Sequence, residues 1–297
     1  MIAVSWGSST DPGPRPDNQD ALLAEPPIFV VADGMGGHAA GELASAIVVE
    51  TFKSLIGRGD VTPNAVSELI GEANQSILWS VQEDGSRRGM GTTVVALVMV
   101  SDGKDDYWLV ANLGDSRVYR FAHGKLKQLT VDHSYVQELV DAGRITAEAA
   151  RTHPQRNIIT RVLGSVQPPE AEYWLLAPEV GERYLLCSDG LFAEMPDEDI
   201  ARLMAEIADP GMAAAVLVKE ALVAGGRDNA TAIVVDVLGI DPTRTVGDVA
   251  AAARVEPPTR RGRRAARQGE DDASSVPPIS NAMIRGVPAY LEPSRDE

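Results

Sequence analysis

Six runs of apolar, largely β-branched residues constrain this chain more than any other feature. They are "IFVVAD" from Ile28, "GTTVVALVMV" from Gly91, "YWLVANLGD" from Tyr107, "SRVYRFA" from Ser116, "RYLLCSD" from Arg183 and "TAIVVDVL" from Thr231. Strand length and residue type make each a β-strand. Most are apolar at both alternating positions, the mark of strands covered on two faces. Three of them run out onto an aspartate: Asp33, Asp115 and Asp189. A fourth aspartate, Asp228, stands just before the last run. A carboxylate at the rim of a buried sheet is costly unless it is paired or holds a cation. Each Asp-Gly pair taken singly is also an ordinary turn. Several rims converging would make a cluster of hard oxygen donors, which suits Mg²⁺ or Mn²⁺ and not Zn²⁺.

Charge narrows the choice further. The net charge is −16, and residues 241–297 carry nine arginines against nine acids, so the whole excess lies in residues 1–240. Such a body excludes general nucleic-acid binding, which needs a basic face. It is compatible with cation binding or with a solvated acidic surface. No run reaches the length of a membrane span, and the N-terminus has no signal-peptide profile. The single cysteine, Cys187, excludes an internal disulfide and fits a cytoplasmic setting. Its apolar run makes it a buried structural thiol, and no arginine follows at the spacing of a cysteine phosphate loop.

Between the strands fall helical patterns. Thr62-Pro63 reads as a cap with Pro at the first helical position, followed by a stripe of Val66, Leu69, Ile70, Ala73, Ile77 and Val81. Further helices are expected from about Gly41 to Ile56 and, as a pair, from about Pro196 to Ala224. "GKLKQLT" is the hairpin partner of the run ending at Ala122. The segment from about 132 to 164 reads as a small helical insertion. Together these give an α+β body of two antiparallel sheets packed as a sandwich, with helices outside. Residues 241–297, rich in Arg, Pro and acids, read as a disordered tail. Its last part, "ISNAMIRGVPAYLEP", is a candidate docking peptide.

Eight pieces stand in order: "RPDNQD", "VADGMGGHAAGE", "GMGTTVVAL", "ANLGDSR", "LTVDHS", "IITRVLG", "LLCSDGL" and "GGRDNATAIVV". As a set they resemble the metal-dependent protein phosphatases, the protein phosphatase 2C family in its bacterial form. The resemblance covers about residues 1–240. It implies a four-layer α-β-β-α sandwich with a two-metal site at one edge, and a flap over about 132–164. By motif position it implies that Asp33 bridges both metals, with the Gly34 carbonyl as an adjacent ligand. Asp189 and Asp228 would hold the first metal, and Asp20 would support the site through water. Asp115 would belong to a weak third site. Gln19 stands where many relatives have Glu, which implies a lower affinity for the second metal. Arg15 falls at the position of the phosphate-binding arginine and His38 at that of the general acid. A guanidinium suits phosphoryl oxygens, and an imidazole titrates near neutrality; an exposed loop cation and a capping histidine are their bland counterparts. His123, His133 and His153 read as structural or flap residues.

The implied activity is hydrolysis of phosphoserine and phosphothreonine in proteins with two Mn²⁺ or Mg²⁺ ions. The partners would be phosphorylated proteins, kinases or their substrates, and the chain a cytoplasmic monomer. The rival reading is an inactive phosphatase-like binding module. Loss of a core ligand would mark it, yet Asp33, Gly34, Asp189 and Asp228 are all present.

Overall fold

The two faces of the apolar runs go to different partners in the computed structural model, which describes residues 2–36, 40–102, 105–241 and 253–255. In chain order the strands and α-helices are β1 (Ile2–Asp11), β2 (Asp20–Glu25), β3 (Ile28–Met35), α1 (Ala40–Phe52), α2 (Pro63–Glu83), β4 (Gly91–Thr92), β5 (Val94–Ser101), β6 (Asp106–Leu113), β7 (Arg117–Ala122) and β8 (Lys125–Gln128). They continue with α3 (Tyr135–Asp141), α4 (Ala147–Arg151), β9 (Glu172–Leu176), β10 (Arg183–Cys187), α5 (Asp189–Phe192), α6 (Asp197–Glu206), α7 (Pro210–Ala224), β11 (Ala230–Ile240) and β12 (Ala253–Val255).

One sheet has the order β1-β11-β10-β7-β8, and the other β12-β9-β6-β5-β3-β2, with β4 added against the end of β3. Phe29 and Val31 of β3, Leu97 of β5 and Trp108 of β6 point into the space between the sheets, where they meet Tyr184, Leu186, Ile233 and Val235. Trp108, wholly buried, lies between Phe29 and Tyr184 at ring-centroid distances of 6.4 and 5.7 Å. The alternate residues Ile28, Val30 and Ala32 turn outward and pack under α1 and α2 through Val48, Phe52, Val66 and Ile70. On the far side Leu185, Cys187 and Val234 are covered by Ile200, Leu203, Leu217 and Val218 of α6 and α7. Runs apolar on both alternations therefore produce helix–sheet–sheet–helix layers, as expected. Burying a large aliphatic or aromatic side chain contributes ~1.5–3 kcal/mol, so these three cores dominate the stability of the fold. Cys187 is fully buried, and burial pushes its thiol pKa up, which leaves it inert.

The α2 cap forms as expected, with the Thr62 hydroxyl accepting from the Ala65 N–H. The β7–β8 hairpin also forms. Three departures have physical reasons. First, β1 and β2 were not among the expected strands. They lie at sheet ends; β1 alternates between partly buried and exposed positions, and β2 is six residues long, although its Leu22 and Leu23 reach the cores on its two faces. Second, the run from Gly91 does not form a single strand. It breaks at Thr93, because β4 pairs with the end of β3 and β5 with its start. Third, the short strand β9 was missed, and Ala253–Val255, within the segment expected to be a tail, pairs antiparallel with it. The remainder of that segment from residue 242 onward lies outside the described residues.

Candidate metal centre

Antiparallel order brings the starts of β2 and β11 and the ends of β3, β6 and β10 to one end of the sandwich. Asp20 and Asp33 stand directly opposite each other across the β2–β3 ladder. Asp115 follows β6, Asp189 opens α5 at the end of β10, and Asp228 lies two residues before β11. The five aspartates expected from the sequence thus meet, each acting on the charge of others. Burial, followed by repulsion from Asp20, Asp189, Asp115 and Asp228, raises the Asp33 pKa well above the usual carboxylate range. Burial, and then Asp189 and Asp132, lift Asp115 to about 8. Burial and Asp228 lift Asp189 to about 6, against the pull of a hydrogen bond with Asp33. Asp20 rises to about 7, chiefly through burial.

The backbone around these carboxylates is held rigidly. The Asp33 N–H donates to the Thr93 hydroxyl at 2.9 Å, while its carbonyl accepts from the Thr93 N–H and the Thr92 hydroxyl, both at 2.9 Å. This is the physical use of the break at Thr93. Gly34 answers a different demand. A Cβ there would stand 2.1 Å from the Gly41 carbonyl oxygen and 2.7 Å from that of Gln19, so the first turn of α1 rests directly on the strand carrying Asp33. Gln19 locks the same junction: its carbonyl accepts from the Gly34 N–H and the Ser45 hydroxyl, and its N–H donates to Asn229 Oδ1. Gly114 has φ +120°, and a Cβ would strike Thr93 at 2.6 Å, so the turn bearing Asp115 also requires glycine.

Arg15 is at the rim. Its Nη2 donates to Asp228 Oδ2 at 2.9 Å and its Nε to the Arg227 carbonyl at 3.2 Å. His38 lies outside the described residues. Arg117 and Asn229, which sequence reasoning passed over, and His133, which it read as structural or part of the flap, complete the site. Arg117 grips Asp132 through Nε and Nη2 (2.9 and 2.7 Å), donates to the Tyr119 hydroxyl and stacks 3.7 Å over Phe192. The Gly114 N–H donates to Nδ1 of buried His133, so the root of the flap holds the Asp115 turn. Asn229 ties Pro12, Asp17 and Gln19 to the strand after Asp228. Arg117, His133 and Asn229 stand inside the quoted motifs.

The donor set fits a hard divalent cation. It is made of carboxylate oxygens, and Asp20 Oδ1 and Asp115 Oδ1 are buried without a hydrogen-bond partner. An orphaned buried carboxylate oxygen calls for a cation or a bound water. Among the described residues no group of three or more His, Cys, Asp or Glu side chains is placed to hold a metal ion.

Comparison with known proteins agrees with this geometry. The family profile for protein phosphatase 2C matches residues 16–224. The serine/threonine protein phosphatase PstP of Mycobacterium tuberculosis is 34% identical over 295 residues, covering 96% of this chain and 56% of that protein. The serine/threonine phosphatase stp of Listeria monocytogenes is 34% identical over 216 residues, covering 71% of this chain and 84% of that one. A crystal structure of the PstP catalytic domain in complex with two manganese ions superposes with a TM-score of 0.72 at 34% identity, covering 80% of this chain and 100% of that one. The sandwich is thus the fold of the metal-dependent phosphatases. The chain belongs to the protein phosphatase 2C family. It spans about half the length of the mycobacterial relative.

Proposed function

We propose that this chain is a divalent-cation-dependent phosphatase acting on phosphoserine and phosphothreonine in proteins. The observation that carries the proposal is the convergence of Asp20, Asp33, Asp115, Asp189 and Asp228 at one end of the sandwich, with Arg15 at its rim. Asp33, Asp189 and Asp228, with the Gly34 carbonyl, would hold two Mn²⁺ or Mg²⁺ ions. Asp20 would support them through water, and Asp115 would serve a third, weaker site. When bound, such a pair activates water at neutral pH and neutralises phosphoryl charge. Arg15, anchored through Nε and Nη2, has its Nη1 edge for phosphoryl oxygens. His38 would protonate the leaving serine or threonine oxygen. Gln19 would weaken the second cation site, since an amide lacks the charge of a glutamate.

The substrates would be phosphorylated proteins, kinases or kinase substrates, and the flap would help select them. We place the enzyme in the cytoplasm as a monomer, with residues 1–240 as its catalytic domain and 241–297 as a tail. No described helix is long and apolar enough to cross a membrane.

The test is phosphate release from a phosphothreonine peptide in Mn²⁺ and in excess EDTA, with Asp189→Asn alongside. Release that needs Mn²⁺ and falls at least about 100-fold in the variant is expected, given the several kcal/mol of charge stabilisation a catalytic cation supplies. A folded wild type that binds Mn²⁺ and releases no phosphate would favour the binding-module reading instead.

A further inference from the structure

Asp20 lies within a closed circuit of hydrogen bonds. Its N–H donates to Asn18 Oδ1 at 3.1 Å, which fixes the orientation of that amide. Asn18 Nδ2 then donates to the Thr10 hydroxyl at 2.8 Å. Thr10 and Thr231 share a hydroxyl–hydroxyl bond of 2.7 Å. Either hydroxyl can be the donor of that bond. The Thr231 N–H donates to Ser188 Oγ at 3.0 Å, and Ser188 Oγ donates to Asp20 Oδ2 at 2.7 Å. The path begins on the backbone of Asp20 and ends on its carboxylate, crossing Thr231 from its hydroxyl to its backbone N–H, so that Thr10 anchors the residue whose N–H holds Ser188.

The circuit joins four segments: β1 through Thr10, the loop before β2 through Asn18, the turn after β10 through Ser188, and β11 through Thr231. Ser188 and Thr231 are fully buried, whereas Thr10 is exposed. Ser188 precedes α5 as its cap residue but makes no side-chain capping bond, so its hydroxyl is committed to Asp20. The Thr231 hydroxyl also faces the same carboxylate and joins Ser188 in lowering its pKa, although only Ser188 stands at hydrogen-bond distance. One carboxylate oxygen, Oδ2, is thereby held by Ser188 and the other, Oδ1, is buried with no partner.

We propose that Ser188, steered by Thr231 and Thr10, is a positioning residue that locks Asp20 so that Oδ1 is the oxygen presented to a divalent cation or its water. The inference rests on the reading of the aspartate cluster as a cation site. It makes Thr10, an exposed threonine of an edge strand, part of the control of metal affinity. Partners that orient metal-site groups commonly govern affinity by 10–100-fold.

The experiment is a calorimetric Mn²⁺ isotherm on the full chain, with thermal melts in EDTA. Wild type, Ser188→Ala, Thr10→Val and Thr10→Ser are compared. Ser188→Ala is expected to bind Mn²⁺ about tenfold more weakly. Thr10→Val should bind about threefold more weakly, below that range because it acts at one remove, and Thr10→Ser, which keeps the hydroxyl, as the wild type does. A purely structural role would shift the melts and leave the Mn²⁺ affinity alone. Unchanged affinity in Ser188→Ala overturns the proposal. Should Ser188→Ala not fold, unchanged affinity in Thr10→Val overturns it equally. A folded wild type that binds no Mn²⁺ would instead refute the cation reading itself.

Discussion

Raising the pH of a cation-free solution from 5 to 8 should cost this protein stability. Asp20, Asp115 and Asp189 keep their protons to about 7, about 8 and about 6 in the folded chain. In the unfolded chain each lets go near 4. Between those limits the folded state binds more protons, so stability is complete below about pH 4 and is lost as pH climbs through the folded values. For Asp20 alone the interval is worth roughly 4 kcal/mol, at about 1.4 kcal/mol per pH unit. Repulsion between two carboxylates is common to both, so the contributions do not add. A fall of about 3 kcal/mol from pH 5 to 8 is the expected scale, a large part of the 5–15 kcal/mol of an ordinary domain. Surface pairs such as Arg58–Asp60, whose carboxylate is held below its usual range, act below this window.

The assay is urea unfolding followed by the fluorescence of the four tryptophans, at intervals from pH 5 to 8, in EDTA and in saturating Mn²⁺. Mn²⁺ at 100 times its Kd should restore about 2.7 kcal/mol at pH 8. Asp115→Asn, which removes one buried charge, should be more stable than the wild type in EDTA at pH 8. Stability in EDTA that is flat or rises between pH 5 and 8 would show that these carboxylates ionise without penalty and would refute the reasoning.

Two further substitutions probe the scaffold. Gly34→Ala drives a methyl group into the Gly41 and Gln19 carbonyls; overpacking against backbone should cost about 3 kcal/mol and weaken Mn²⁺ binding, and wild-type urea curves would count against the close α1–β3 contact. Arg117→Met strands the buried Asp132 carboxylate and should destabilise by about 3–5 kcal/mol, much of it recovered in Arg117→Met/Asp132→Leu. Additive losses in that double variant would mean the pair is not the source.

The layered architecture was legible because each central strand announces two covered faces, as Phe29 and Val31 alternate with Ile28 and Val30. The edge strands were not, since a strand such as β1 can carry Ser5, Ser8 and Thr10 without burying a polar group. The aspartates could be picked out as charges at the ends of apolar runs. What holds them could not be. Thr93 bonds Asp33 across 60 residues and Ser188 bonds Asp20 across 168. No local spacing records such partners; they follow only from strand order. Gly34 was expected to bring backbone close to a metal; its geometry shows a close approach to α1.

The flap leaves the body and returns to it through a narrow neck. The Thr160 N–H reaches the His133 carbonyl, Ser134 and Ile159 form a bridge, and the Tyr135 N–H reaches the Ile158 carbonyl. A closed neck separates the content of the loop from its attachment. Doubling the enclosed length costs only about 0.6 kcal/mol of closure entropy. Evolution, or an engineer, can therefore exchange what lies between Tyr135 and Ile158 as a cassette while the carboxylate cluster stays as it is.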